Sequence, residues 1–295
     1  MLRSATEHID AWIPEKARLL DRLKQGKFNV PDFIFVPADD FKNGTFDALN
    51  AFLEDYHDSF KVIARSGHPL VVLIGGTTGT GKSTIATEVA HRLSIVRTQS
   101  SDMLREVMRM MIPKRLLPVL HTSSFNAGFT LPATGGEDDY DNQLADGYLT
   151  QSDLLSVPCE AVIQRALRER VSVILEGVHL HPGMLKHLKL DKSAHVIMIM
   201  LAVLEPDQLK RRLSGRLLEA PERKSSGHLS QFDKIWHLQS FLLSEADRCG
   251  VPIFMNDDKE KVTNAIMATL IDTLAKGFDQ TPDKVFAPPR GKDNA

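Results

Sequence analysis

Gly76-Thr77-Thr78-Gly79-Thr80-Gly81-Lys82-Ser83-Thr84 follows an unbroken apolar run, Leu70 to Gly75, and opens an amphipathic stretch, Lys82 to Leu93. A continuous apolar run of this length predicts a strand buried on both faces of a parallel sheet. The spacing is G-x-x-x-x-G-K-S. Glycines let the backbone wrap closely enough to aim several N–H groups at one phosphate, and the helix that follows adds its positive end. Lys82 is placed to reach β- and γ-phosphates, and the Ser83 hydroxyl to ligate Mg²⁺. Residues 76–84 are therefore read as the binding loop of a nucleotide, with ATP and Mg²⁺ as its occupants.

Outward from this loop the chain alternates strand and helix. Helix Lys82–Leu93 leads to a strand at Ile95–Thr98 and a helix at Ser101–Met111. Residues 113–150 read as irregular, and Glu137, Asp138, Asp139, Asp141 and Asp146 read as a solvated acidic loop. A helix from about Pro158 to Arg170 precedes a strand at Val171–Leu175. The strand His195–Val203, helix Pro206–Glu219, long helix Leu229–Cys249, strand Val251–Met255 and helix Lys261–Lys276 complete the pattern. The expectation is an α/β fold, a doubly wound five-stranded parallel sheet of the P-loop NTPase class, nucleoside and small-molecule kinase type. It spans residues 67–276. Before it, 1–66 reads as a mostly helical appendage, set off by the break at Ser66-Gly67-His68-Pro69. After it, 277–295 reads as a flexible tail, rich in Pro, Lys and Asp.

Composition narrows the class. The chain has 295 residues, 42% hydrophobic and 25% charged, which excludes a disordered, collagenous or coiled-coil protein. Lys plus Arg total 36 against 38 Asp plus Glu, a net charge of −2 that argues against nucleic acid or an anionic membrane as partner. The longest apolar stretch, Val196 to Leu204, is about half of a bilayer span. The N-terminus lacks a signal-peptide pattern, and Cys159 and Cys249 match no metal spacing. A cytoplasmic protein is expected.

Four further signals cluster around the predicted strand ends. Val173-Ile-Leu-Glu176-Gly177 is an apolar strand ending in a carboxylate, where such folds present a second metal-linked acid. Asp102 and Arg105 share a face of a helix first turn, suited to orienting an acceptor hydroxyl and binding an anion, or else to a plain N-cap and ion pair. Lys210-Arg211-Arg212-x-x-x-Arg216 places Arg212 and Arg216 one turn apart, as a lid over the transferring phosphoryl group or as a solvated cationic face. His179 and His181 follow Glu176-Gly177 directly, and His121 precedes Ser123-Ser124. Each histidine is read against the alternative of a hydrogen-bonded structural residue.

Taken together, Gly75-Gly-Thr-Thr-Gly-Thr-Gly-Lys-Ser-Thr-Ile-Ala86, Asp102-Met-Leu-Arg-Glu-Val-Met-Arg109, Leu120-His-Thr-Ser-Ser-Phe125, Glu176-Gly-Val-His-Leu-His-Pro-Gly183 and Gly250-Val-Pro-Ile resemble the 2-phosphoglycerate kinase family, in order, over about residues 70–275. The resemblance implies ATP-dependent phosphorylation of the 3-hydroxyl of 2-phosphoglycerate. In that frame Lys82 and Ser83 hold phosphates and metal, and Glu176 helps to position Mg²⁺. Asp102 orients or deprotonates the acceptor, and Arg212 and Arg216 neutralise charge. Arg105, Ser123, Ser124, His179 and His181 are the candidates for binding the phosphorylated substrate. Two other readings stay open: a kinase with another acceptor (an inositol phosphate, a nucleotide-sugar or a polynucleotide end), and a nucleotide-binding regulatory switch. Residues 1–66 do not match the regulatory module associated with archaeal members.

Overall fold

The computed structural model describes residues 69–93, 95–132, 139–186, 188, 194–219 and 230–277. The appendage expected over 1–66 and all but the first residue of the tail expected over 277–295 lie outside them. Residues Pro69–Ala265 cluster as one compact unit.

Five parallel strands form one sheet in the order β2-β3-β1-β4-β5. They are β1 (Leu70–Gly75), β2 (Arg97–Ser100), β3 (Val173–Glu176), β4 (His195–Ala202) and β5 (Ile253–Met255). Between and after them run α1 (Lys82–Arg92), α2 (Ser101–Met111), α3 (Asp139–Arg168), α4 (Pro206–Glu219), α5 (Phe232–Cys249) and α6 (Lys259–Gly277). β1 is central and every residue in it is buried, which is why it reads as an unbroken apolar run. The chain leaves β1 towards β2 and β3 on one side and later fills β4 and β5 on the other. The strand order thus reverses around β1, where ligands gather in open α/β sheets.

Two expectations need correcting. The second strand begins at Arg97 rather than at Ile95. Among the described residues it is an edge strand paired only with β3, it exposes Thr98 and Gln99, and its polar sequence gives hydrophobic patterning little to detect. Val96, ahead of it, is 96% exposed.

The larger correction is α3, a helix of 30 residues where an acidic loop followed by a helix from Pro158 was expected. Acidic residues near its start lie at the positive end of the helix dipole. Leu144, Tyr148, Leu155, Cys159 and Ile163 recur at helical spacing and are all buried. Pro158 lies inside this helix, not at its start; the proline removes one hydrogen bond, the one its N–H would have given to the Leu154 carbonyl. Packing of the buried face outweighs that loss.

Segment 113–132 is irregular as expected, with 3₁₀ turns at Pro118–His121 and Ser124–Thr130. The second turn packs tightly on α3. A Cβ on Gly128 would collide with the carbonyl of Gln143, and one on Gly147 with the backbone of Gly128. α5 covers the opposite strands, and Gln239 fastens it to the end of β4, accepting from the Val203 N–H at 3.1 Å and donating to the Val203 carbonyl at 2.9 Å. The C-terminal ends of all five strands share one edge, and the loops leaving that edge carry the site.

Candidate active site

The loop after β1 has the conformation its glycines allow, with positive φ at Gly76, Gly79 and Gly81. Gly81 is the N-cap of α1 and offers no side-chain cap, so the first N–H groups of that helix have no capping side chain and remain available to an anion. Thr77 and Thr80 are buried, and Thr78 is half-buried. Lys82 is folded back along the loop, its Nζ donating to the Thr77 carbonyl at 2.8 Å. Thr80 donates to the same carbonyl at 2.9 Å. Thr84 is exposed on the first turn of α1.

Asn256 braces this loop from the end of β5. Its Nδ2 donates to the Thr80 carbonyl at 2.7 Å, and its own N–H donates to the Ala202 carbonyl at 2.8 Å. A Cβ on Gly81 would strike Asn256 Nδ2, so only glycine fits there. Arg212, on α4, donates through Nη2 to the Asn256 carbonyl. Burial works against the charge of its guanidinium while Asp257 supports it. Arg212 therefore rests beside the loop. Arg216 follows one turn later on α4, and its side chain lies outside what the structure describes.

β3 brings the second acid to the loop. Its register sets Glu176 beside Ile74 of β1 and Ser100 of β2. Ser83 donates to Glu176 Oε1 at 3.1 Å, and the glutamate is 7% exposed. Immediately after it the chain turns at Gly177, with φ +154°, and a Cβ there would collide with Ser101 Oγ.

On the far side of Glu176, α2 begins. Ser100 caps it, accepting from the Asp102 N–H at 3.2 Å. Asp102 is exposed, and its Oδ1 is 3.9 Å from Arg105 Nη2 and 3.8 Å from His179 Nδ1. Arg105 donates through Nη1 to the Thr122 carbonyl at 2.8 Å. Its Nε is buried and has no hydrogen-bond partner among the described residues. His179 is 1% exposed and has both ring nitrogens engaged, Nδ1 by Ser101 Oγ at 2.9 Å and Nε2 by Gln151 Oε1 at 3.0 Å. Burial pulls its pKa down to about 3, against the opposing pull of Asp102, so the ring is neutral.

Ser101, Asp102, Arg105, Glu176 and His179 thus come together. Others do not join them. Ser124 is buried within its 3₁₀ turn, and Ser123, at the N-cap of that turn, is half-buried. His121 is held by the Ile112 carbonyl at 2.8 Å. His181 accepts from the Gly183 N–H at 3.0 Å and faces Glu245 Oε2 at 3.4 Å, between Tyr148 and Phe241. Its environment is the packing of α5, not the sheet edge.

No family model matches the chain. Relatives do. A protein named 2-phosphoglycerate kinase from Pyrococcus furiosus is 37% identical over 72% of this chain and 68% of its own length. One of the same name from Methanopyrus kandleri is 32% identical, covering 78% of this chain and 69% of that protein. A third, from Methanothermobacter thermautotrophicus, is 33% identical over 76% and 73%. The chain belongs to the 2-phosphoglycerate kinase family. It is, accordingly, an ATP-dependent phosphotransferase. A gluconokinase structure from Sinorhizobium meliloti overlaps at TM-score 0.42 and 15% identity, covering 71% of this chain and 95% of that one, too remote to add to this. Among the described residues no helix is long and apolar enough to cross a membrane.

Two residues of this family member escaped the sequence reading. Asn256 carried a signal: it is a carboxamide directly after the last strand, on the edge where the loop lies. Gln151 carried none until α3 is seen as one helix, when it becomes a polar residue on a buried apolar stripe.

Proposed function

We propose that this protein transfers the γ-phosphoryl group of Mg-ATP to the 3-hydroxyl of 2-phosphoglycerate, giving 2,3-bisphosphoglycerate and ADP. The observation that carries the reading is Arg105. It is held through Nη1, keeps a buried, unpartnered Nε, and sets Nη2 3.9 Å from the exposed carboxylate of Asp102. A buried donor without a partner is costly, and an anionic acceptor would satisfy it. The names of the relatives point to the same acceptor.

Ser83 and Glu176 suit Mg²⁺, which takes one or two protein oxygens and completes its shell with phosphate oxygens and water. When bound, the ion neutralises charge on the β- and γ-phosphates. The chain's own groups do the rest. Lys82 and the loop amides hold the phosphates of ATP. Asp102 orients the acceptor hydroxyl and takes its proton as the acceptor oxygen bonds to γ-phosphorus and the bond to the β–γ bridging oxygen breaks. Arg105 holds the phosphate or carboxylate of the acceptor, with Ser123 next to the Thr122 whose carbonyl anchors that arginine. Arg212 and Arg216 offset charge in a loose transition state. His179, Ser124 and His181, committed to internal partners or packing, serve as framework. On this reading the protein works in the cytoplasm on a small phosphorylated acid.

The test is ³¹P NMR of purified protein with Mg-ATP and either 2-phosphoglycerate or glycerate. Bisphosphoglycerate is expected from the first, and glycerate should be poorer by about 10³-fold, because the site's polar groups are then left unpaired. Consumption of an inositol phosphate or nucleotide-sugar instead would remove 2-phosphoglycerate as the acceptor.

A further inference from the structure

We propose that Gln151 is the positioning residue of the acceptor side: its one carboxamide fixes both Arg105 and the proton of His179. It lies fully buried in the middle of α3, remote in sequence from everything it touches. A carboxamide has two N–H donors and one acceptor oxygen. Both donors are used, towards the carbonyls of Val119 and of Thr122, the latter at 3.1 Å. The opposite orientation would set its oxygen against two carbonyl oxygens, so Oε1 is the atom that faces His179.

An acceptor facing Nε2 requires the hydrogen of His179 to be on Nε2. Nδ1 is then bare and accepts from the Ser101 hydroxyl. Ser101 opens α2, next to Asp102. The Thr122 carbonyl that Gln151 grips is also the one that holds Arg105 Nη1. One side chain therefore secures the first turn of α2 at two points, at Ser101 through His179 and at Arg105 through Thr122. With one Nη1 hydrogen tied to Thr122, the orientation of the remaining N–H donors of Arg105, on Nε, Nη2 and Nη1, is fixed. The groups facing His179 are Ser101, Gln151, Asp102, Arg105 and Lys82.

The role of Arg105 rests on the reading above, so the experiment separates the two. Gln151→Met, Arg105→Ala and the double variant are assayed for Mg-ATP affinity without acceptor and for KM and kcat with 2-phosphoglycerate. Gln151→Met should raise the acceptor KM by about ten-fold and leave ATP affinity within about two-fold, since the misplacement is confined to the acceptor side. In the Arg105→Ala background it should cost clearly less than it does alone, because the part of its effect that passes through Arg105 is already lost. Additive losses, or equal losses for ATP and acceptor, would overturn the positioning role. If Arg105→Ala alone leaves the acceptor KM unchanged, the acceptor reading fails instead. A second measurement uses the unmodified protein and needs neither turnover nor a folded variant: ¹⁵N–¹H correlation of the His179 ring. Protonation at Nε2 with bare Nδ1 is expected, and the other tautomer would refute the proposal.

Discussion

Ser83 and Glu176, 93 residues apart in sequence, are joined by a 3.1 Å hydrogen bond from hydroxyl to carboxylate. The bond ties the start of α1 to the neighbouring strand β3 and brings a hydroxyl and a carboxylate oxygen together. Glu176→Gln keeps an acceptor for Ser83 but removes the charge. It should lower kcat by at least roughly 100-fold, about 3 kcal/mol at the transition state, and raise the Mg²⁺ concentration needed for half-maximal rate. A magnesium titration at saturating ATP checks this, and an unchanged midpoint would detach Glu176 from the metal.

Asp102 should matter for turnover more than for nucleotide. Asp102→Asn leaves ATP affinity intact and lowers kcat by ~10²–10⁴-fold if the carboxylate orients or deprotonates the acceptor. Calorimetric ATP titration beside steady-state kinetics separates the two. A stability loss with normal kcat would leave Asp102 as a first-turn acid beside Arg105 and the positive end of α2 alone.

Gly177 and Gly250 offer a controlled comparison. Both have positive φ, but a Cβ at Gly177 strikes Ser101, whereas one at Gly250 meets nothing within 4 Å. Gly250→Ala should cost about 1 kcal/mol from backbone strain alone. Gly177→Ala adds a collision in a packed interior and should cost about 3 kcal/mol. Urea unfolding of both variants gives the difference, and equal losses would mean that Ser101 yields freely.

His179 makes stability depend on pH with a fixed sign. Its folded pKa lies near 3, depressed chiefly by burial, below an unfolded value of about 6.5. Below 6.5 the unfolded chain takes up a proton that the folded one refuses, so stability is full above that pH and falls as pH drops. The slope approaches 1.4 kcal/mol per unit, or roughly 2 kcal/mol between pH 6.5 and 5. His181 is shifted in the same direction, again mainly by burial, and adds to the trend. His179→Gln should flatten the curve of unfolding free energy against pH over this window; an unaltered slope would mean that the ring takes up its proton alike in the folded and unfolded chain.

What was legible in the sequence was local. Residues 76–84 form their glycine-rich turn in one stretch, and Glu176 closes an apolar strand, so the placement of both could be read without knowing the fold. The α2 pair, three residues apart, was legible for the same reason. β2 was misplaced by two residues because an edge strand with exposed Thr98 and Gln99 has no apolar alternation to mark it. α3 eludes a local reading because Pro158 and an acidic beginning look like a loop when taken separately, although the buried spacing from Leu144 to Ile163 belongs to one helix. Gln151 fell inside that misread segment. His179 was found by its position after Glu176, but its engagement at both nitrogens depends on Ser101 and Gln151, 78 and 28 residues away.

The contact between Gly128 and Gly147 has a mechanical consequence. No side chain stands between the two backbones to rotate or slide, so the 3₁₀ turn at Ser124–Thr130 and the middle of α3 act as a single lever. Lys234 holds the same turn from α5, donating to Asn126 Oδ1 at 2.8 Å and lying 4.1 Å over the ring of Phe129. Gln151 is one helical turn beyond Gly147. A push on the outer surface of that turn is therefore delivered, through backbone in direct contact, to the stretch of α3 that carries Gln151.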